Sequence, residues 1–184
     1  MRKLLIVPLL AMTLAATAAV PQWRVQPASP GIGFAAKGGG YTTEGRFQRY
    51  VARIRFDPGN LAGSSAIVAI DLASVSTGQK SIDDTLRGAD WFATGNAPQA
   101  VFTATRFERQ GEGRFVANGM LKIRGVSAPV ALPFTLSIAN NQANVKGRLT
   151  LDRSIWGIGV SDKMANDQVE KAVAVTIDLK AVKA

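Results

Sequence analysis

Acidic side chains would have to carry any acid/base chemistry in this sequence, because its 184 residues include no His and no Cys. Without imidazole or thiol groups the chain cannot form a Ser/His/Asp triad, a Cys/His dyad, a His or Cys zinc site, or a disulfide. Asp83, Asp84 and Asp90 lie close together, and paired carboxylates can divide acid and base roles when their pKa values differ. Asp83 and Asp84 are adjacent, however, so they do not share a helix face. Helix capping and solvation explain these three aspartates better than catalysis does. We therefore expect no catalytic residue and no bound metal.

Binding of a phosphate is the second chemistry that the residue types suggest. The run Gly38-Gly39-Gly40 lacks the Lys-Ser/Thr pair and the helix of a P-loop, so we interpret it as a loop between strands. Arg153 is adjacent to Asp152, and a structural ion pair is the favoured interpretation there. Four arginines are candidates for contacts with an anionic headgroup at a barrel mouth, and the alternative is that their side chains are simply solvated. They are Arg46, Arg87, Arg106 and Arg153.

The elements that must position these side chains are short β-strands. Between Tyr50 and Phe56, apolar residues occupy every second position and charged residues most of the others, as in a strand with one buried face. The same alternation recurs over 66–72, 115–123, 130–138 and 173–180, and Gly, Pro, Asn or Ser clusters separate the segments. About eight to ten such strands favour an antiparallel sandwich or barrel over a βαβ arrangement.

Two irregularities interrupt this pattern. Phe47 has an odd residue number, whereas the apolar residues of the next strand, from Tyr50 to Phe56, have even numbers. This change of parity predicts a bulge near Gln48-Arg49. Ser81-Ile82-Asp83-Asp84 resembles a capping box and predicts a short helix from about Ile82 to Gly88. Trp91 and Phe92 follow this helix, and we expect them to cover one end of a barrel.

Residues 1–19 have the layout of a secretory signal peptide. Met1-Arg2-Lys3 is positively charged, Leu4 to Leu14 is mostly apolar, and Ala16-Thr17-Ala18 is a small-residue cleavage site. Cleavage is expected after Ala18 or Ala19. The sequence therefore predicts a soluble periplasmic protein in which residues 20–184 form one domain.

The exported chain is expected to be basic. Removing Arg2 and Lys3 leaves 20 basic and 13 acidic side chains, a net charge of +7. Because export removes nucleic acid as an expected partner, anionic membrane surfaces and phosphorylated ligands are the natural candidates. The basic residues are scattered, so a solubilising surface charge is the favoured explanation.

The interior of a barrel built from these strands is either packed or hollow. Small residues at inward positions favour a cavity: Ala52, Ala66, Ala117, Gly119 and Gly147. A cavity under roughly 300 Å³ would be too small for a drug-sized ligand.

Sequence blocks along the whole predicted mature chain resemble, in order and spacing, those of the YceI-like polyisoprenoid-binding proteins. No single block is specific, and their order carries the resemblance. The blocks are Trp23-Arg24-Val25, Gly31-Ile32-Gly33-Phe34, Gly45-Arg46-Phe47, Phe56-Asp57-Pro58, residues 69–78, Leu86-Arg87-Gly88-Ala89-Asp90-Trp91-Phe92, residues 119–126, and Asp152-Arg153-Ser154 with Trp156-Gly157-Ile158-Gly159.

This resemblance implies an all-β fold: an extended, lipocalin-like, eight-stranded antiparallel β-barrel with one short helical segment near its mouth. It also implies that the barrel interior, the lumen, binds an isoprenoid lipid such as a polyprenyl phosphate or a quinone. Many relatives carry a His after the strand of Phe34, where this chain has Lys37 followed by glycines, so no role of that His transfers. The implied ligand-binding residues are Phe34, Phe47, Ile54, Phe56, Trp91, Phe92, Phe102, Phe115, Leu121, Phe134, Leu149 and Trp156.

The favoured hypothesis is a periplasmic, non-enzymatic carrier of an isoprenoid or similar long-chain lipid, with no cofactor other than that bound ligand. Candidate partners are an anionic membrane surface and an inner-membrane redox protein, and the expected assembly is a monomer or a homodimer. The alternatives are a secreted stress or adhesion module with a packed core, a small outer-membrane barrel, and an enzyme that uses Asp83, Asp84 or Asp90. The outer-membrane barrel is disfavoured because the outward face of strand 50–57 carries charges.

Overall fold

A computed structural model describes residues 19–27 and 29–184 of the chain, and the predicted signal peptide therefore lies almost wholly outside the described residues. Most of the described chain is β-structure. The strands are β1 (Gln22–Val25), β2 (Gly31–Gly38), β3 (Tyr41–Phe47), β4 (Tyr50–Arg55), β5 (Ser65–Asp71), β6 (Val75–Ser76), β7 (Gln99–Gly111), β8 (Arg114–Ile123), β9 (Val126–Ala139), β10 (Gln142–Asp152) and β11 (Val169–Lys183).

Neighbouring strands pair antiparallel, and in the described part of the chain they close an eight-stranded barrel, as predicted. β1 and β2 form one interrupted barrel strand, and β3 and β4 form the next. From β4 the sheet runs through β5, β7, β8, β9, β10 and β11 in order, and β11 closes it by pairing with β2 and with β1. Consecutive strands are neighbours throughout, so the barrel has an up-and-down topology.

The alternating pattern places one side of each strand inside the barrel. On β10 the odd-numbered residues from Ala143 to Leu151 are buried or half-buried and the even-numbered residues are exposed. On β4 the order is reversed, with Ile54 inside and Arg53 and Arg55 outside. A period of two along each strand is therefore sufficient to separate an apolar interior from a charged exterior.

The change of parity after Phe47 occurs where the sequence predicts it, but the prediction of a bulge is wrong. β3 ends at Phe47 and β4 begins at Tyr50, so the chain leaves the sheet for Gln48 and Arg49 instead of bulging within one strand. Backbone amides bridge this break: Gln48 N–H donates to the Ser74 carbonyl (3.1 Å). The barrel bends at register shifts elsewhere, in β7 and in β11.

Helix α1 covers Lys80–Arg87, close to the predicted range, but the predicted capping box is wrong. The N-cap position is Gln79, which makes no side-chain cap bond, and Ser81 lies inside the helix. Asp83 bonds backwards to the preceding loop, because its Oδ1 accepts from both the backbone N–H and the hydroxyl of Thr77 (2.7 Å each). A second helix, α2, covers Lys163–Gln168.

The remaining helical segments are single 3-10 turns, over Leu61–Gly63, Leu72–Ser74 and Arg153–Trp156. Within the described ranges, no helix is both long and apolar enough to cross a membrane.

Candidate functional site

An apolar cavity of about 180 Å³ lies in the barrel lumen. Among the described residues 24 side chains line it, and all of them are Ala, Val, Leu, Ile, Phe or Trp. They come from the inward positions of nearly every barrel strand; β11 alone contributes four, from Val175 to Ala181. The surface of the cavity therefore offers dispersion contacts and exclusion of water, and no hydrogen bonds or charges.

An aromatic group, the lower cluster, closes the lumen below the cavity. The ring of Phe56 contacts Phe107, Phe115 and Phe134 at centroid distances of 5.2, 5.3 and 5.8 Å. Trp23 packs against this group, and its Nε1–H donates to the Phe56 carbonyl (2.9 Å). Phe115 is only 2% exposed, and the rings of Trp23, Phe56, Phe107 and Phe134 form this end of the cavity wall.

A second group, the upper cluster, closes the lumen at the end where α1 lies. Trp156, 2% exposed, packs with Leu121, Ile123 and Ala128. The Nε1–H of Trp156 donates to the Leu121 carbonyl (3.2 Å), so the 3-10 turn that follows β10 reaches across β9 to β8. The cavity thus lies between two clusters of packed apolar side chains.

Half of the twelve residues implied by the resemblance line this cavity. They are Ile54, Phe56, Phe102, Leu121, Phe134 and Leu149. Phe115 and Trp156 belong to the two clusters and do not reach the cavity surface. Their participation in ligand binding stays a prediction.

The other four implied residues lie beside the upper end of the lumen. Phe34, Phe47 and Phe92 form a row of rings with centroid distances of 5.7 and 5.8 Å. Phe34 and Trp91 line a separate pocket of about 370 Å³ between the β2–β3 hairpin and α1. This pocket shares no lining residue with the central cavity.

Sequence reasoning missed most of the cavity wall, although strand parity contained the signal. The missed residues include Trp23 and smaller aliphatic residues, whereas the resemblance drew attention to aromatic positions. Of the small inward residues, Ala66 and Ala117 line the cavity. Gly147 adds no space to the cavity, because a Cβ atom at this position would lie 3.1 Å from the Leu132 Cδ1 methyl group, which packs against the glycine.

The four candidate headgroup arginines do not line the cavity, and two of them hold the fold together. Arg87 donates to the carbonyls of Ala73 (3.0 Å) and Val75 (2.9 Å) and contacts the Asp84 carboxylate (3.0 Å). Arg106 pairs with Glu108 on the surface (2.7 Å), and Arg46 is exposed on β3.

Arg153 is the most buried of these arginines, at 3% exposed. Its contacts with the described residues include hydrogen bonds to the carbonyl oxygens of Ile158 (2.6 Å), Val169 (2.7 Å) and Glu170 (3.1 Å). The neighbouring Asp152 instead accepts from the backbone and hydroxyl of Ser154, which lowers the pKa of its carboxyl. Arg153 is therefore an anchor of the upper end.

The carboxylates considered for catalysis are separated from the cavity. Hydrogen bonds from Thr77 lower the pKa of Asp83, and the Lys80 ammonium lowers the pKa of Asp84. Asp90 accepts from the hydroxyl of Ser161 (2.5 Å). Among the described residues no group of three or more His, Cys, Asp or Glu side chains is placed to hold a metal ion.

Comparisons with known proteins agree with this architecture. The family model described as YceI-like domain matches residues 23–181. A UPF0312 protein of Photorhabdus laumondii is 36% identical over 102 residues, 55% of this chain and 53% of that protein. The chain therefore spans about half the length of the curated relatives it matches.

Solved structures share the barrel. BcnA of Burkholderia cenocepacia is 29% identical with a TM-score of 0.82, over 86% of this chain and 100% of that one. A polyisoprenoid-binding domain of Saccharophagus degradans has the same fold at 16% identity, with a TM-score of 0.70 over 90% of this chain and 99% of that one.

Proposed function

Because the chain belongs to the YceI-like family, we propose that it is a non-enzymatic carrier that binds a long-chain lipid of the isoprenoid class in its lumen. The observation that carries this proposal is the wholly apolar lining of the cavity between the two clusters. Burying each CH₂ group of a lipid chain contributes about 0.8 kcal/mol, so a chain can bind such a wall without a polar anchor. The solved Saccharophagus degradans domain of the same fold is a polyisoprenoid-binding domain.

The lumen must widen before it can hold a long chain. Its volume of about 180 Å³ is below the roughly 300 Å³ at which pockets begin to hold drug-sized ligands. The wall is made of flexible aliphatic side chains, with Leu132 and Leu149 on adjacent strands, and these can change rotamer at small cost. The ligand is therefore expected to displace side chains and not to enter a preformed tunnel.

The side chains that line the cavity are better suited to a carrier than to an enzyme. The described wall of the cavity holds no titratable or nucleophilic side chain, so a lipid inside it contacts only apolar atoms. Such a site lowers the free energy of the bound chain without polarising any bond.

The proposed location is the periplasm, on the strength of the signal-peptide pattern in residues 1–19. The barrel has an apolar interior and carries exposed Arg53 and Arg55 on β4, the reverse of the arrangement in a barrel embedded in lipid. Osmotic shock of the native host should release the protein, whereas retention in the membrane fraction would favour the outer-membrane alternative. An anionic membrane surface and an inner-membrane redox protein remain the proposed partners.

Native mass spectrometry and organic extraction of protein purified from its own host test the proposal. A co-purified isoprenoid lipid is expected, and a protein that neither carries nor takes up prenyl lipids would contradict the function. Val68→Phe places a larger ring in the cavity and should reduce uptake. Ile67→Phe is the matched control, because Ile67 is the preceding residue of β5, points outward and is 43% exposed.

A further inference from the structure

The wall of the barrel is incomplete between β9 and β10. The described register pairs these strands only from Gln142↔Ala139 to Gly147↔Phe134. Above that point β9 continues to pair with β8 as far as Val126, and β10 continues to pair with β11 as far as Asp152. We call the unpaired portion, residues 129–133 of β9 and 148–152 of β10, the seam.

Two prolines explain why the pairing stops. Successive residues of a strand direct their backbone N–H and C=O groups to alternate neighbours. The N–H of Leu136 donates to the Gly113 carbonyl (2.8 Å) at the start of β8, so the odd-numbered residues of β9 face β10. Pro129 and Pro133 are odd-numbered and carry no N–H. Two donors that would have extended the ladder are therefore missing on the edge that faces the seam.

The seam opens onto the cavity. Val130 and Leu132 on its β9 side and Leu149 and Leu151 on its β10 side all line the cavity. On the outside, Pro129, Ala131 and Pro133 are exposed on β9, and Arg148, Thr150 and Asp152 are exposed on β10. A lipid chain that crossed the wall along the β9 edge would meet apolar side chains from the surface to the cavity.

The alternative routes are less suitable for a lipid chain. At the two ends of the lumen a chain would have to pass the packed side chains of the lower and upper clusters. A groove of about 580 Å³ between β1 and β4 shares Val25 with the cavity, but Arg24, Arg49 and Asp71 line it as well. The ring of Tyr50 packs there against the backbone of Gly31, and burial raises the pKa of its hydroxyl. A chain passing through this groove would desolvate polar groups, which costs free energy.

We propose that the seam is a lateral portal through which a long-chain lipid enters and leaves the lumen. The inference rests on the proposed function, since it supplies the route for that ligand. Opening requires that the apolar side chains on the two edges, Val130 and Leu132 on β9 and Leu149 and Leu151 on β10, move apart, and no cross-strand pairs of the described strands have to break at the seam.

Cross-linking the two edges tests the portal, and the absence of Cys from the sequence makes the experiment clean. Ala131→Cys with Thr150→Cys places thiols at positions that would oppose each other if the ladder continued. Ser137→Cys with Asn144→Cys is the matched control on the same two strands, at a pair that is already in register. A short reducible bis-maleimide joins each pair.

Uptake of a short-chain ubiquinone from phosphatidylcholine vesicles is followed by quenching of tryptophan fluorescence, since Trp23 lines the cavity. Cross-linking the seam should slow uptake and release by at least about tenfold, and reduction should restore both rates. The control cross-link should leave them within about twofold.

The seam is not the portal if its cross-link leaves the rates equal to those of the control. It is equally overturned if a cross-link across the groove, Gln26→Cys with Val51→Cys, slows uptake in its place. Failure of the proposed function looks different: none of the variants would take up the quinone even before cross-linking, and both proposals would then fall.

Discussion

The two ends of the lumen are closed by different kinds of interaction. The lower cluster is a set of aromatic rings in mutual contact, with one hydrogen bond from Trp23 to the Phe56 carbonyl. The upper end combines buried apolar side chains with arginines that bind carbonyl oxygens of the loops above them. Packing dominates at one end and directional polar contacts hold the loops at the other.

Arg124 illustrates the polar character of the upper end. Its guanidinium donates to the carbonyls of Ala89 (3.0 Å) and Gly157, which ties the loop after α1 to the turn after β10. Ser161 and Gly159 then bond to Asp90 of the first loop. Since each loop depends on its neighbour, we expect the upper end to open locally while the lower cluster unfolds only with the whole barrel.

The largest effect is expected from Phe56→Ala. Phe56 is 5% exposed and contacts three other rings, so its removal leaves a cavity in the lower cluster and should lower the free energy of unfolding by about 3–5 kcal/mol. Urea denaturation measures the change. Tyr41→Ala is the control, because Tyr41 is 80% exposed and should cost less than about 0.5 kcal/mol. Equal losses in the two variants would show that the cluster does not stabilise the barrel.

Arg153→Met should have the next largest effect. It leaves the Ile158, Val169 and Glu170 carbonyls without their donor, which we expect to cost about 2–4 kcal/mol in urea denaturation. Amide hydrogen exchange should accelerate around residues 157–161 and remain unchanged in the strands of the lower cluster. Faster amide exchange at both ends of the lumen would show that the upper end does not open independently of the lower cluster.

Trp23→Phe sharpens the comparison at the lower end. A smaller aromatic ring remains and the donor to the buried Phe56 carbonyl is lost, which together should cost about 1–3 kcal/mol. Thermal and urea unfolding should move together, as for a cooperative unit. A loss as large as that of Phe56→Ala would mean that Trp23 contributes as much to the lower cluster as the central Phe56 ring does.

The smallest effect concerns pH and is confined to the upper end. Hydrogen bonds from Thr77 lower the pKa of Asp83 from its ordinary value of 3.8, so the folded protein favours the ionised carboxylate. This stabilisation is present at pH values above 3.8 and is lost as the pH falls through the lower pKa of the folded state. Hydrogen exchange of α1 should therefore accelerate in acid.

Thr77→Val removes one of the two donors to Asp83 and Asp83→Asn removes the titration, so both variants should flatten this acid dependence. An unchanged pH profile in Asp83→Asn would assign the acid response to another group. The lower cluster, which has no carboxylate among its described members, should show no such dependence in the wild-type protein or in either variant.

Prediction from the sequence was most successful where the signal repeats along a single strand. Alternation placed Ile54, Phe56 and Leu132 inside the barrel, and all three line the cavity. It was less successful where partners come from distant segments. Ser81 matched a capping pattern, but the acidic Asp83 bonds to Thr77, because the helix begins one residue before Ser81 and its N-cap is Gln79.

The resemblance to the YceI-like family implied the barrel. By itself, the residue pattern determined antiparallel strands with one apolar face, in a chain without imidazole or thiol chemistry. These properties follow from residue types and from a period of two, which act within one strand. The tertiary structure alone decided the volume of the cavity, the arginine contacts of the upper end and the seam between β9 and β10. Pro129 and Pro133 are visible in the sequence, but their effect depends on which neighbouring strand their missing N–H groups would have faced, and only the register of the closed barrel sets that.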